Sequence, residues 1–386
     1  MRKFYTAEAV TEGHPDKLCD QIADAILDVC LKNDENSRVA CEVLATKGNI
    51  IVAGEITSAY EPDVFAVVRK VLSDIGYSSE GIAMDTFVHQ QSPDIAGAVD
   101  TSKERREGVS DNQMDWFQGA GDQGVMIGYA CDETKQLMPI PVVLANRIVR
   151  ELSACRQSSY IQGILPDGKA QVTVEYENGK PVRLDSVVVS CQHTEDKNLK
   201  KLEAEIRKKV LLPALRLLPP DEDTKIFINP SGRFVCGGMD ADTGLTGRKL
   251  MVDSYGSMVP HGGGAFSGKD CSKVDRSVAY MARYIAKNIV AARLASRCQV
   301  SLAYAIGVAQ PVMVQVDTFG TGKVCADDCL ELAIPLVFGL TPKQIVDSLC
   351  LTRPIFRQTA AFGHFGRKEF PWERTDKVEA LRNAVI

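Results

Sequence analysis

Apolar residues along the chain recur with two periods, one typical of helices and the other typical of strands. Behind the helix-start pair Pro15-Asp16, four of them recur at helical spacing: Leu18, Ile22, Ile26 and Val29. Residues 38–58 then alternate between apolar and polar side chains, with a turn at 47–49. The pattern predicts a helix followed by a β-hairpin.

The same order of elements returns twice further along the chain. Residues 141–152 have a helical pattern and precede an alternating segment, 169–191, in which Asn178-Gly179 is typical of a hairpin turn. Residues 277–294 are helical again, and 297–319 alternate around a turn. One more helix is predicted after each hairpin, at 64–74, 199–212 and 342–350.

These repeats predict an α+β fold built from three similar α+β units by internal duplication. The hairpins begin near residues 38, 169 and 297, which are 131 and 128 residues apart. The mixed order of helices and strands favours α+β over a doubly wound parallel sheet, and coincidence among common elements is the alternative explanation. The predicted units are 1–100, 112–231 and 232–386. The charged segment 101–115 is either a mobile connector or a solvated linker.

Composition narrows the class of protein. The 386 residues are 45% hydrophobic and 25% charged, as in an ordinary globular protein. The formal charge of −5 argues against a general nucleic-acid or membrane surface, so an anion site must be local. Twelve cysteines are scattered without a CxxC pair, and the first residues lack an apolar run. We therefore expect reduced thiols, a cytoplasmic location, and neither nucleic acid nor a membrane as partner.

Two glycine-rich segments imitate nucleotide-binding motifs. Residues 119–124 match GxGxxG, but a dinucleotide site needs a helix after the last glycine, and the next residues have a strand pattern. Residues 263–269 match the start of a P-loop, yet Asp270 stands where the Mg²⁺-binding Ser or Thr belongs. Consecutive glycines beside Lys269 and Lys273 still favour phosphate binding, because their backbone N–H groups are accessible. A turn-rich loop with a solvated basic rim is the alternative.

Charged residues are concentrated between positions 233 and 276. Six of them are cations: Arg233, Arg248, Lys249, Lys269, Lys273 and Arg276. The carboxylates of Asp240, Asp242, Asp270 and Asp275 accompany them. This mixture suits a polyphosphate with its Mg²⁺, which the carboxylates would hold.

A second candidate site lies at the start of the first helix. His14 and Asp16 stand in Gly-His-Pro-Asp-Lys, a poor choice of residues for helix capping alone, so a functional role is favoured for both. Three more aspartates follow four residues apart, Asp20, Asp24 and Asp28. We interpret this stripe as a solvated helix face.

Together these motifs resemble the S-adenosylmethionine synthetase family. The likeness covers nearly the whole chain and rests on the segments 13–17, 119–124 and 262–270, with further matching stretches at 91–95, 227–234, 244–249 and 363–367. The resemblance implies a fold of three α+β domains related by pseudo-threefold duplication. It also implies transfer of the adenosyl group of ATP to methionine, release of triphosphate, and hydrolysis of that triphosphate to diphosphate and phosphate. Two Mg²⁺ per site and K⁺ are the implied cofactors.

The resemblance implies a role for each matched residue. The implied catalytic residues are His14, Lys169, Arg248 and Lys269. ATP is implied to contact these four together with Asp167, Arg233, Phe234, Asp242, Lys249 and Ala265. The implied methionine contacts are Glu55, Gln91, Asp122, Asp242 and Lys273. The implied metal ligands are Asp16 and Asp275 for Mg²⁺, and Glu42 for K⁺.

The resemblance further implies a homo-oligomer and a mobile loop. Active sites are expected between the two subunits of a dimer, and two dimers are expected to pair into a tetramer. Residues 91–101 resemble the family's active-site loop, whose closure would exclude water from the reacting atoms. Two other functions are weighed against this one, a P-loop kinase or NTPase and a regulatory subunit that binds ATP without consuming it.

Overall fold

The computed structural model describes residues 2–92, 101–108 and 118–385. Most of the expected active-site loop and part of the charged segment after it lie outside these residues. The described strands are β1 Arg2–Val10, β2 Arg38–Thr46, β3 Asn49–Thr57, β4 Ala83–His89, β5 Gly124–Cys131, β6 Ile164–Glu177, β7 Lys180–His193, β8 Lys225–Ile228, β9 Gly244–Leu245, β10 Arg297–Tyr304 and β11 Met313–Asp317.

Helices account for most of the remaining regular structure. They are α1 Pro15–Asn33, α2 Val64–Ile75, α3 Lys103–Arg106, α4 Ile140–Gln157, α5 Leu199–Ile206, α6 Leu212–Ala214, α7 Leu250–Asp253, α8 Val274–Ala291, α9 Asp327–Val337, α10 Pro342–Leu349 and α11 Val378–Ala384. A π-helical segment, Arg207–Leu211, joins α5 to α6, and short 3₁₀ turns occur at Gly238–Asp240 and Pro371–Glu373.

The predicted order of helix and hairpin is confirmed in all three places. Helices α1, α4 and α8 each precede an antiparallel pair of strands, β2–β3, β6–β7 and β10–β11. The second hairpin turns at Asn178 and Gly179, whose φ angles of 51° and 79° are those of a type I′ turn. A strand also follows the first glycine-rich segment, as expected, so that segment lacks the helix that a dinucleotide site requires.

The three sheets are completed by an exchange of strands around the molecule. In sequence, β1, β5 and β9 come before α1, α4 and α8, but none of them joins the hairpin that follows its own helix. Instead β1 pairs with β6, β5 with β10, and β9 with β2, always antiparallel to the first strand of another unit's hairpin. The fold is therefore the predicted α+β fold, and its sheets cross the boundaries at residues 100–112 and 231–232 that the pattern indicated.

A continuous apolar core lies between the sheets and the helices packed on them. On β2, the buried residues Val39, Cys41 and Val43 alternate with residues on the opposite face and belong to the same core as Leu18 and Ile22 of α1. Helix α8 is buried along nearly its whole length, including its charged residues Arg276, Arg283 and Lys287.

Two expectations from composition can be compared with the structure. All twelve cysteines are free thiols, and eight are buried, as expected for reduced core residues. Within the described residues no single helix is long and apolar enough to cross a membrane. Helices α9 and α10 reach that length and composition only as a pair, across a bend of 77°.

Candidate active site

The first helix begins with a cap made by a histidine. His14 has an extended backbone, and its Nδ1 accepts a hydrogen bond from the backbone N–H of Asp16 over 3.2 Å. Gly13 is required just before it, because a Cβ there would lie 2.4 Å from Pro166 Cβ. His14 therefore caps the helix and also faces the candidate site, and the expected role of His14 and Asp16 beyond capping stays a prediction.

The environment of His14 favours a neutral ring. Burial, with the positive charge of Lys249 as the second cause, lowers the pKa of His14 to about 4. Because Nδ1 accepts the Asp16 N–H, the proton of the neutral ring resides on Nε2. His14 can thus donate one hydrogen bond at neutral pH without carrying charge.

The aspartate stripe of α1 is not a solvated face, and that interpretation was wrong. Asp20 and Asp24 have no exposed surface, Asp28 is half-buried, and Asp16, one turn earlier, is 3% exposed. They face inward because two loops of the predicted C-terminal unit, around residues 244–249 and 268–270, cover this side of α1. Helical periodicity identifies a face of the helix, but it does not show what covers that face.

These two loops run along the edge of β2 that is not paired with β3. The first pairs through Thr246, whose N–H donates to Val43 O over 3.0 Å. The second pairs around Lys269: the Cys41 N–H donates to Gly268 O and the Asp270 N–H donates to Val39 O. The sheet edge therefore holds the segments that carry Arg248-Lys249 and Lys269 beside each other.

One group of predicted site residues surrounds the start of α1. Lys249 Nζ lies 2.5 Å from Asp16 Oδ2, and Arg248 Nε lies 3.8 Å from Asp16 Oδ1. Despite its burial, the pKa of Asp16 is lowered, because Lys249 and the Leu245 N–H hydrogen-bond to its carboxylate. Lys169 pairs with Glu8 at 2.8 Å.

Asp167 and Asp242 complete this first group. Asp167 accepts the Gly238 N–H over 2.8 Å, and burial raises the pKa of its carboxyl to about 6, with the nearby negative charge of Asp242 adding to the rise. Both Asp242 and Lys169 are close enough to His14 to influence its pKa. The first group is therefore His14, Asp16, Asp167, Lys169, Asp242, Arg248 and Lys249.

A second group follows the β2 edge and the start of α8. Lys269 Nζ pairs with Asp275 at 2.5 Å, and Lys273 Nζ pairs with the fully buried Asp270 at 2.6 Å. Across the sheet, Lys269 is in register with Ala40, and Ala40 with Glu55, so Lys269 and Glu55 lie on one face.

Glu42 lies in the next row of that sheet face. Desolvation raises the pKa of its carboxyl, while the positive charge of Lys269 acts in the opposite direction. Asp122 is exposed, and its neighbour Gly121 packs so closely on the segment leading into α8 that a Cβ would lie 2.5 Å from Ser272 O. The second group is therefore Glu42, Glu55, Asp122, Lys269, Lys273 and Asp275.

The remaining predicted residues have other contacts. Arg233 forms an exposed ion pair with Glu195 at 2.7 Å, and Phe234 pairs through its backbone with His193. The Gln91 N–H donates to Thr57 Oγ1 over 3.1 Å. Ala265 lies where the two β2-edge loops touch, since a Cβ added to Gly247 would lie 2.6 Å from the Cβ of Ala265. In the described residues, no hydrogen bond or ion pair joins the first group to the second.

The glycine-rich segments serve close packing as well as any ligand. A Cβ at Gly262 would lie 1.8 Å from Val125 O, and one at Gly268 would lie 1.9 Å from Cys41 O. The Gly268 N–H is also bonded to Asp24 and the Gly263 N–H to His261. These two N–H groups are thus used within the protein, which limits the interpretation that the glycines are there to leave N–H groups free for phosphate.

The donor set fits a divalent cation that is shared with a ligand. Among the residues that the structure describes, no three His, Cys, Asp or Glu side chains come together as a metal site. Asp16 and Asp275 each offer a single carboxylate beside a lysine. Mg²⁺ commonly binds through one or two carboxylates together with substrate phosphates, so the two aspartates suit it.

Comparison with known protein families assigns all three parts of the chain. The model described as S-adenosylmethionine synthetase, N-terminal domain, matches residues 2–100. The model of the central domain of that synthetase matches 117–234, and the model of its C-terminal domain matches 236–374. The matches contain every residue of the two groups.

Proposed function

The chain belongs to the S-adenosylmethionine synthetase family and makes S-adenosylmethionine from ATP and methionine, and we propose that it does so by releasing intact triphosphate, which the same site then hydrolyses. The thioether sulfur of methionine donates a lone pair to the ribose C5′. The S–C5′ bond forms as the C5′–O bond breaks, and that electron pair leaves on the triphosphate. Water then cleaves one phosphoanhydride bond, which gives diphosphate and phosphate.

The lysine–carboxylate pairs are the observation that carries this proposal. A thioether has no proton to lose, so the reaction needs positioned charge more than a general base. Lys249 and Lys269 supply that charge, and each is held by an aspartate at 2.5 Å. We propose that Asp16 and Asp275 would hold Mg²⁺ with the bound nucleotide, and that Lys249 and Lys269 would face its phosphate oxygens.

The other groups take subsidiary roles in the same step. His14, neutral with a proton on Nε2, donates a hydrogen bond to the leaving oxygen, and Lys169 and Arg248 add positive charge around it. Mg²⁺, when bound, neutralises phosphate charge so that the triphosphate leaves without being protonated. We assign Glu42 to K⁺, and Glu55, Gln91, Asp122, Asp242 and Lys273 to methionine. Asp167, Arg233, Phe234 and Ala265 are assigned to the nucleotide.

We further propose that each site is formed between two copies of the chain. Among the residues that the structure describes, no hydrogen bond or ion pair connects the two groups, and Lys269, Glu42 and Glu55 of the second lie on the sheet face away from α1. Phe87 is in register with Ala53 on this face and is 65% exposed, so the face is open in the described part of a single chain. A dimer that covers this face would bring one chain's second group to its partner's first group. We also propose that two dimers pair into a tetramer. We propose a cytoplasmic location as well, with which the twelve free thiols are consistent.

The reaction can be tested with ATP and its β,γ-imido analogue, whose terminal linkage water does not cleave. With methionine, Mg²⁺ and K⁺, the full chain is expected to make S-adenosylmethionine with equal amounts of diphosphate and phosphate from ATP. From the analogue it is expected to make S-adenosylmethionine and intact imidotriphosphate in a single turnover. ADP with a phosphorylated product would indicate a kinase, and ATP binding without turnover would indicate a regulatory subunit.

Charge in the site is tested by Lys269→Met against Lys343→Met, since both lysines pair with an aspartate but Lys343 does so on the surface at 44% exposure. We expect Lys269→Met to lose at least 100-fold in turnover, about 2.7 kcal/mol, and Lys343→Met to retain wild-type activity. Equal activity of the two variants would show that Lys269 does not hold the triphosphate.

The shared site is tested by mixing two inactive variants. Lys249→Met damages the first group and Lys269→Met the second. If sites form between subunits, a heterodimer has one site with both lesions and one site with neither, so it should recover half of the wild-type activity. If each chain forms its own site, the purified heterodimer should stay inactive.

A further inference from the structure

Helix α1 contacts the C-terminal part of the chain through a line of carboxylates. Asp16, Asp20, Asp24 and Asp28 follow at intervals of four residues, and each accepts at least one backbone N–H from that part. The donors, in order, are Leu245 at 3.0 Å, Gly247 at 2.9 Å, Gly268 at 2.8 Å, and the pair Phe356 and Arg357 at 2.9 Å each. The second and third aspartates have no exposed surface.

The second aspartate fixes the segment that carries Arg248 and Lys249. One oxygen of Asp20 binds the Gly247 N–H, and the other binds Lys17 Nζ at 2.7 Å. Lys17 Nζ also binds Asp253 at 2.6 Å, at the other end of the segment. The segment 247–253 is therefore held at both ends by neighbouring groups of α1.

The third aspartate does the same for the segment 268–276. Asp24 Oδ1 accepts the Gly268 N–H, and both Asp24 oxygens accept from the Arg276 guanidinium, at 2.6 and 2.9 Å. Arg276 also donates to Lys269 O at 3.1 Å, which closes the segment on itself. This segment includes Lys269, Lys273 and Asp275, all of them in the second group.

Burying so many charges is costly unless every group has partners, and here each does. Gly247 and Gly268, at the start of the two segments, adopt left-handed backbone conformations, and their N–H groups are bonded to Asp20 and Asp24. A cation that must meet a developing negative charge contributes most when it is held in place beforehand. The network lies directly beneath the cations and anchors the backbone on both sides of them.

We propose that Asp20 and Asp24 are positioning residues, which hold the two cation-bearing segments in the geometry that the triphosphate requires. Their role depends on the proposed triphosphate site and goes beyond it, because both carboxylates lie beneath the surface and act through the segments they hold. Asp20 holds the segment 247–253, which carries Arg248 and Lys249 and no proposed methionine contact. Asp24 acts on the second group, which includes the proposed methionine contact Lys273.

The test compares three single variants, Asp20→Asn, Asp24→Asn and Asp28→Asn, in the full-length enzyme at a temperature well below their unfolding transitions. Asp28 is the matched control, because it makes the same kind of backbone contact on the same helix to a segment without site residues. We measure the dissociation constant of inorganic tripolyphosphate with Mg²⁺, kcat, and KM for ATP and for methionine.

For Asp20→Asn we expect tripolyphosphate binding to weaken at least tenfold, with KM for methionine within twofold of wild type. For Asp24→Asn we expect both constants to rise at least fivefold. Asp28→Asn should leave every constant within twofold. Tripolyphosphate affinities equal to wild type in the first two variants, or an equal loss in Asp28→Asn, would overturn the proposal.

Variants that fail to fold are replaced by milder ones. Arg276→Lys keeps a charge opposite Asp24 but gives up the two-bond contact, and Lys17→Arg keeps a charge between Asp20 and Asp253. Each should weaken tripolyphosphate binding by more than twofold relative to wild type, and wild-type binding in both would overturn the proposal. Because tripolyphosphate binding is measured directly, this result is separate from that of the turnover assay: a wild-type enzyme that binds tripolyphosphate and makes no S-adenosylmethionine would refute the proposed function alone.

Discussion

Replacing Lys249 by methionine is expected to raise the pKa of His14 from about 4 to between about 5 and 6. Burial is the largest cause of the low pKa and stays in the variant, whereas the positive charge of Lys249 is removed. The loss of that charge also leaves Asp16 without its lysine partner, and a nearby carboxylate stabilises the imidazolium form. Both changes act in the same direction, upward.

The structure sets the size of this effect. Asp16 Oδ2 lies 4.0 Å from His14 Nδ1 and 2.5 Å from Lys249 Nζ, so the ring nitrogen and the ammonium are at most about 6.5 Å apart. At an effective dielectric constant of about 20, two like charges at that distance repel by about 2.5 kcal/mol, which corresponds to nearly 2 pKa units. Partial exposure of the ring, 16%, reduces this by screening.

The assay is a pH titration of the histidine ring resonances by NMR, in enzyme freed of metal and nucleotide by chelation and dialysis. There are five histidines, and the resonance of His14 is identified by its absence in His14→Gln. Lys249→Arg is the matched control, because it keeps the charge and should keep the pKa near 4. The unfolded chain binds a proton near pH 6.5 that the folded wild type does not bind until about pH 4. Stability contributed by the neutral ring is therefore lost as pH falls through this window, and the window narrows in Lys249→Met.

A pKa that stays near 4 in Lys249→Met would refute this reasoning, since burial alone would then account for the shift. An equal rise in Lys249→Arg would refute it as well, because a change of side-chain shape and not of charge would then be the cause.

Three further predictions concern stability. Glu373→Gln removes the charge that neutralises two buried cations, one of them Arg283 at 2.9 Å. Denaturant titration should therefore show a free energy of unfolding lower by about 3–5 kcal/mol. A loss below about 1 kcal/mol would contradict this. Burial raises the pKa of Asp167 to about 6, so the protonated carboxyl contributes to the free energy of unfolding at low pH, and this contribution is lost as pH rises from about 4 to 6. Asp167→Asn should not show this loss. If the free energy of unfolding of the two proteins changed in parallel with pH, the prediction would be contradicted. Gly268→Ala places a Cβ 1.9 Å from a backbone oxygen and should lower the thermal unfolding temperature much more than Gly320→Ala, which has a similar φ but open space around it; equal losses would show that φ alone matters.

The sequence pattern was sufficient for the local elements and insufficient for what covers them. The helix at 15–33 and the hairpin turn at Asn178-Gly179 were predictable, because both depend on residues close together in the chain. The pairing of β1 with β6 depends on segments more than 150 residues apart, and nothing in either strand alone specifies its partner. The aspartates at 20 and 24 were recognised as one helix face and assigned to solvent, because their partners come from the opposite end of the chain.

In the candidate site, too, the residues could be predicted from the sequence but their contacts could not. Matched motifs named Lys249, Lys269 and Asp275, and the structure shows which charge pairs with which, as in the Lys269–Asp275 pair. The separation of the site residues into two groups could not be predicted from spacing, since Asp242 and Lys269 are close in sequence but belong to different groups. Lys17 gave no signal of its role, as a lysine at a helix start is usually solvated.

The exchange of strands has a consequence for synthesis of the protein on the ribosome. Strand β2 emerges early, but the residues that cover its outer edge, around 244–246 and 268–270, emerge about 200 residues later, roughly 10–40 s at usual elongation rates. During this interval a nascent chain presents a bare sheet edge, and a chain that stalls before residue 244 keeps it permanently. Partial translation products of this protein should therefore depend on chaperones more than those of proteins whose domains complete their own sheets.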